Sequence, residues 1–205
     1  MKSVVVLLSG TGTNLQAILD ATQEANLGYK VGLVISNRRT AGGLDKARHA
    51  GVPSRYVDPR QHANREDYDR ALSEVIDGMN PHLIVLAGFM RILSPFFVRR
   101  YAGRIVNIHP SLLPLFPGKD AQAQALSAGV TESGVTIHFV DEGVDTGPII
   151  AQEAVPVEPG ETVETLSAKI QVVEHRLYPS VIATVCETLL ENQAITESAQ
   201  GGHYQ

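Results

Sequence analysis

Asn107 and His109 stand two residues apart in the stretch Asn107-Ile108-His109-Pro110, directly after the approach Arg104-Ile105-Val106. In an extended chain residues i and i+2 share a face, so an amide and an imidazole at this spacing converge on one small target. A third group is needed before the pair can do chemistry. Asp145 is the best candidate, from the acidic stretch Asp141-Glu142-Gly143-Val144-Asp145-Thr146-Gly147. A carboxylate against an imidazole fixes its tautomer. Asn107 would then donate its amide to a developing oxyanion, a role worth roughly 10²–10³ in rate. General acid–base help from His109 would add about 10²–10⁴. On pattern alone two other readings stay open: a structural histidine beside a proline, and a solvated acidic turn.

A second candidate is the loop Ser9-Gly10-Thr11-Gly12-Thr13-Asn14. It joins an apolar run to a segment of helical period, where helix-terminal amides attract anions and glycine lets a phosphate approach. No Gly-Lys-Ser/Thr ending follows, so it is not a Walker loop. The dinucleotide fingerprint fails at its third glycine, where Leu15 stands. Ser36-Asn37-Arg38-Arg39 then occupies the place where an acidic residue would meet ribose hydroxyls. A monophosphate held by Gly12, Thr13 and Asn14 fits better. The same loop also fits a tight turn with Asn14 as helix N-cap.

The remaining histidines carry less. His138 within a strand and His175 within a long helix read as packing residues; His49, His62, His82 and His203 read as surface positions. No ligand spacing for a metal exists among them, so none is expected. The single cysteine, Cys186, reads as a small core residue and fits a reducing cytoplasm.

The elements that must position these residues alternate. Residues 4–8, 30–36, 54–57, 82–89 and 104–108 read as strands, and helical periods lie between them. The run 82–89 is the most apolar and is expected at the sheet centre. That order predicts an α/β fold: an open, mostly parallel twisted sheet with helices on both faces. In the last third, 135–140 and 148–157 read as neighbouring strands, antiparallel or mixed with the parallel set. One long helix over 162–190 follows, with a bend at Pro179.

Composition bounds the rest. The chain has 205 residues, 43% hydrophobic and 19% charged, with net charge −5 and no tryptophan. An acidic, aromatic-poor chain lacks the footprint of a nucleic-acid binder. The apolar start is far too short to span a bilayer and reads as the first strand. One domain over 1–192 is expected, with a flexible tail over 193–205.

Four segments in this order carry a resemblance: SGTGTNLQA (9–17), LAGFMRILSP (86–95), NIHPSLLP (107–114) and GVTIHFVDEGVDTGPII (134–150). Together the chain resembles the phosphoribosylglycinamide formyltransferase family, the folate-dependent transformylases of purine synthesis, over residues 3 to 190. The resemblance implies formyl transfer from 10-formyltetrahydrofolate to the amine of glycinamide ribonucleotide. It implies Asn107, His109 and Asp145 as catalytic residues. Gly12, Thr13, Asn14, Gln171 and Glu174 would bind the ribonucleotide, Glu174 at its glycinamide end. The folate would meet Arg65, Met90, Arg91, Ile92, Leu93 and Asn107, together with the loop Asp141, Glu142, Gly143, Val144 and Asp145. Implied partners are small molecules, with no metal, nucleic acid or membrane, and a cytoplasmic monomer or homodimer.

The chain departs from the family pattern after Pro117-Gly118. Relatives carry a histidine two residues on, and here Lys119-Asp120 follows, so no acid–base role passes to Asp120. Methionyl-tRNA formyltransferase shares the Asn/His/Asp set but adds a basic RNA-binding domain, and formyltetrahydrofolate hydrolase adds an N-terminal regulatory domain. A non-catalytic folate- or nucleotide-binding module is the reading from another class.

Overall fold

The computed structural model describes residues 1–25 and 27–200, with side chains as far as Leu189. Its centre is a seven-stranded sheet: β1 (Lys2–Leu8), β2 (Tyr29–Ser36), β3 (Ser54–Tyr56), β4 (Leu83–Leu86), β5 (Ile105–His109), β6 (Glu132–Phe139) and β7 (Ile149–Pro156). The spatial order is β3-β2-β1-β4-β5-β6-β7. The first five strands are parallel, and β6 and β7 run antiparallel to their neighbours. Both the mostly parallel sheet and the change of character in the last third agree with the sequence reading, and β4 takes the central position.

The helices are α1 (Thr13–Glu24), α2 (Gly42–His49), α3 (Arg65–Asp77), α4 (Pro95–Arg100), α5 (Ala121–Ser127) and α6 (Val163–Gln200). They cover both faces, so the central strands are apolar throughout rather than alternating. Val4, Val6 and Leu8 of β1 join a core shared with α1 and α6, while Val5 and Leu7 join one shared with α3 and α4. Each such buried side chain contributes about 1.5–3 kcal/mol relative to exposure.

Two differences from the expected elements follow from local chemistry. Helix α5, of sequence AQAQALS, carries too few apolar residues to announce itself by period, yet it buries Ala121 and Ala125. The long helix does not end at Leu190: its backbone continues to Gln200, since no glycine or proline intervenes before Gly201. The expected flexible tail therefore falls partly on helical backbone, and residues 201–205, His203 among them, lie outside the described residues. Pro179 sits within α6, where its carbonyl accepts from the Tyr29 hydroxyl at 3.2 Å.

The chain runs from β1 outward to β3, then returns to β4 on the other side of β1. That reversal makes a switch point between β1 and β4, and open α/β sheets bind ligands outside the carboxyl ends of strands at such a point. The glycine loop after β1, the segment 88–93 after β4 and the Asn-Ile-His end of β5 all lie at this one edge.

Candidate active site

At the end of β5, Asn107 and His109 project from the same face, as their spacing predicts. Asp145 approaches both. One of its oxygens lies 3.3 Å from His109 Nδ1, and the other lies 3.4 Å from Asn107 Nδ2. The carboxylate is held from a third side by the Gly118 amide, which donates at 2.8 Å. Asp145 has φ 55°, in the left-handed region that Asp and Asn tolerate better than other L-residues. This backbone turns the carboxylate back over the sheet edge.

His109 is 5% exposed, and both of its ring nitrogens face acceptors. Nε2 donates to the Phe116 carbonyl at 2.8 Å while Nδ1 faces Asp145. The imidazolium is the form that satisfies both contacts. Phe116 itself has φ 55°, and the Ser111 hydroxyl donates to the adjoining Leu115 carbonyl at 2.6 Å, which holds this turn against the ring.

His138 is a correction to the sequence reading, which placed it as a packing residue. It pairs directly across from Asn107 on β6, and its Nε2 lies 3.2 Å from Asn107 Nδ2 and 3.5 Å from Asp145. Its Nδ1 donates to the Phe139 carbonyl at 2.8 Å. Neutral, this ring accepts from Asn107; charged, it donates to Asp145. Asn107 Nδ2 also reaches Asp145, so Asn107, His138 and Asp145 form one polar cluster. Burial works against ionisation of Asp145, but the His138 ring, the Gly118 amide and the charge of His109 outweigh it and hold the carboxyl below the ordinary carboxylate range.

The glycine loop forms the second half of the site. Gly12, at φ 75°, is the N-cap of α1, where the tight-turn alternative puts Asn14. A Cβ at Gly12 would stand 2.6 Å from Gly43 Cα, so α2 packs directly on the loop. The amides of Thr13, Asn14 and Leu15 have no acceptor within the helix, and the first turn holds no acidic residue. Asn14 reaches sideways and donates to Glu174 at 3.0 Å. Gln171 lies one turn earlier on α6 and is exposed.

Glu174 is 7% exposed, and Asn14 is its single hydrogen-bond donor among the described residues. Burial raises its pKa, which the Asn14 contact only partly counters. Tyr178, one turn on, fixes this part of α6 by donating to the carbonyls of Leu86 at 2.9 Å and Val106 at 3.2 Å. An acid whose folded-state pKa is raised destabilises the fold as pH rises through that value. Glu174→Gln is therefore expected to raise the unliganded Tm at pH 8, by about 2–4 °C for each kcal/mol released. Thermal denaturation of both proteins at pH 5 and pH 8 checks this, with the smaller difference at pH 5.

The third part surrounds the segment after β4. Met90 and Ile92 are exposed, Arg91 is half-buried and Leu93 is buried. Arg91 lies over the Tyr68 ring at 4.7 Å, and Arg65 begins α3; burial raises the pKa of Asp69, and the Ser94 contacts and both arginines only partly counter it. In the acidic loop, Asp141 accepts from the Gly143 amide at 3.0 Å and the Thr146 hydroxyl at 2.7 Å. Glu142 pairs with Arg99 of α4 at 3.3 Å, and Gly143 and Val144 are exposed beside them. Among the described residues no group of three or more His, Cys, Asp or Glu side chains could hold a metal ion.

A sequence profile described as formyl transferase matches residues 2–182. The chain belongs to the formyl transferase family. Phosphoribosylglycinamide formyltransferase of Escherichia coli (strain K12) is 48% identical over 181 residues, which are 88% of this chain and 85% of that protein. Trifunctional purine biosynthetic protein adenosine-3 of Bos taurus is 50% identical over 182 residues, but these are only 18% of its length. The chain thus spans less than a fifth of the trifunctional relatives it matches. Among solved structures, glycinamide ribonucleotide transformylase 1 from Symbiobacterium toebii superposes with TM-score 0.90 at 48% identity, covering 92% of this chain and 89% of that one. The seven-stranded sheet is thus the formyl transferase fold.

Two residues at this formyl transferase site escaped the sequence reading besides His138. Lys46 of α2 packs its side chain against Gly12 and places Nζ 3.4 Å from the Gln16 side-chain oxygen. Ser9 bonds to the segment after β4. A cation one turn into the helix after the second strand was the available signal for Lys46; Ser9 stood in the candidate loop, but nothing in the sequence gave its hydroxyl a partner.

Proposed function

We propose that this chain transfers the formyl group of 10-formyltetrahydrofolate to the primary amine of glycinamide ribonucleotide. The observation that carries the reading is the convergence of Asn107, His109 and Asp145 at the sheet edge that also holds the glycine loop. The ribonucleotide phosphate sits on the amides of Gly12, Thr13 and Asn14, with Lys46 beside it. Glu174 and Gln171 accept hydrogen bonds from the rest of the ribonucleotide, Glu174 at the glycinamide end. The folate lies against Met90, Arg91, Ile92 and Leu93, with Arg65, Asn107 and the loop from Asp141 to Asp145.

The amine attacks the formyl carbon directly, and the carbonyl electron pair becomes an oxyanion on a tetrahedral carbon. His109 Nε2, once the Phe116 carbonyl that it meets in this structure gives way, and Asn107 Nδ2 donate to that oxygen. The imidazolium of His109 gives a proton to the folate nitrogen, and the resulting imidazole takes one from the attacking nitrogen. The oxyanion pair re-forms the carbonyl as the carbon–nitrogen bond to the folate breaks, its electrons leaving on the protonated folate nitrogen. His109, with Asp145 behind it, carries both transfers through a water. Direct attack requires no covalent enzyme intermediate.

Lys46 supplies a charge that backbone amides cannot. Lys46→Ala is expected to raise KM for the ribonucleotide about tenfold, the size of one lost charge-assisted hydrogen bond, and to move KM for the folate less than twofold. Steady-state kinetics with each substrate varied in turn check it. The reading as a whole is tested by following loss of 10-formyltetrahydrofolate with and without the ribonucleotide.

A further inference from the structure

The segment from Gly88 to Ser94 leaves the sheet at the switch point, and something must hold it there. Gly88 takes φ 73° and turns the chain away from β1, so the Met90 amide has no strand carbonyl to bond. Ser9, at the end of β1, meets that need. Its hydroxyl oxygen accepts from the Met90 amide at 2.8 Å and donates to Asn37 Oδ1 at 2.6 Å, while its own amide donates to the Gly88 carbonyl at 3.0 Å. Ser9 is 2% exposed. The far end of the segment is pinned as well, because the Ser94 amide donates to the buried carboxylate of Asp69 at 2.5 Å. Arg91 lies between the two anchors, its guanidinium 4.7 Å from the centre of the Tyr68 ring.

We infer that Ser9 is a positioning residue for the formyl-donor half of the site, although it belongs by sequence to the phosphate loop. The inference rests on the proposed reading of residues 90–93 as the folate pocket. It also gives Asn37 a role: this residue orients the Ser9 hydroxyl so that its lone pair faces Met90. Among the described residues, the hydroxyl makes the one side-chain bond that crosses the floor of the crevice from the ribonucleotide loop to the folate segment. Its removal leaves the Met90 amide without its acceptor and frees residues 90–92 to move. The phosphate-binding amides of Thr13 and Asn14 belong to α1, which Gly12 and Gly43 hold independently.

Ser9→Ala separates the two halves. The expected result is a roughly tenfold rise in KM for 10-formyltetrahydrofolate and in Kd for tetrahydrofolate, with KM for glycinamide ribonucleotide moving less than twofold. Asn37→Ala, which keeps the Ser9 oxygen but not its orientation, shifts the same two constants in the same direction by a smaller factor. If Ser9→Ala folds poorly, Asn37→Ala carries the test by itself. Equal rises for both substrates, a rise confined to the ribonucleotide, or unchanged folate constants would overturn the inference. Tetrahydrofolate binding by the unaltered chain is the control. Its absence would sink the proposed function together with this inference, whereas binding that Ser9→Ala leaves intact sinks this inference alone.

Discussion

Replacing His109 with asparagine is expected to lower kcat by about 10²–10⁴ while the fold survives. The imidazole is buried and bridges the Phe116 carbonyl and Asp145, so it is held in one orientation before any substrate arrives. The ladder between β5 and β6 runs through backbone groups, and His109 pairs there with Thr136 whatever its side chain. Asparagine is smaller and polar, and it keeps hydrogen-bonding capacity at the site. It has no group that can accept and return a proton near neutral pH. The loss should therefore appear in kcat, with Tm close to that of the parent. Turnover within a few-fold of normal would remove His109 from the chemistry.

Asp145→Asn should cost about 10²–10³ in kcat/KM for a different reason. Asparagine is isosteric and tolerates the left-handed backbone at this position, so the loop is expected to keep its path. What changes is charge and donor pattern. The aspartate accepts from the Gly118 amide and faces the rings of His109 and His138. An amide puts an NH₂ group against one of these donors and leaves the charged form of His109 without its counter-charge. The same substitution has a pH signature. Because the folded-state pKa of Asp145 is lowered, its ionised form contributes stability that is complete above the unfolded value of about 4. That contribution is lost as pH falls through the lowered folded value. Asp145→Asn should thus be less stable than the parent near pH 7, with the gap closing in strong acid. Denaturant unfolding across that range measures it.

Much of the frame was legible because its signals are local. Val4 to Leu8 and Leu83 to Leu86 are apolar without interruption, which only a strand buried on both faces requires. Asn107 and His109 declare themselves by the two-residue spacing, since β5 is extended through both. His138 did not, because a histidine alternating with Val135 and Ile137 looks like one more packed position until Asn107 is known to lie opposite it. Glu174 came from family resemblance alone: a glutamate in a helix ordinarily faces water, and its burial depends on α6 crossing the ends of β4 and β5 through Tyr178. Asn14 fits an N-cap pattern, but the cap falls at Gly12 and its side chain serves Glu174 instead. Ser9 was silent, because its hydroxyl bonds to a residue 81 positions away.

In the proposed reaction one amine acceptor drives formyl loss at the Asn107, His109 and Asp145 cluster. The most direct test follows 10-formyltetrahydrofolate by absorbance in the presence of the protein, first alone and then with glycinamide ribonucleotide. Loss that depends on the ribonucleotide and falls away in His109→Asn is the predicted result. Equal loss without the ribonucleotide would mark a hydrolase on the same scaffold, and no loss under either condition would leave a binding protein; either result contradicts the account.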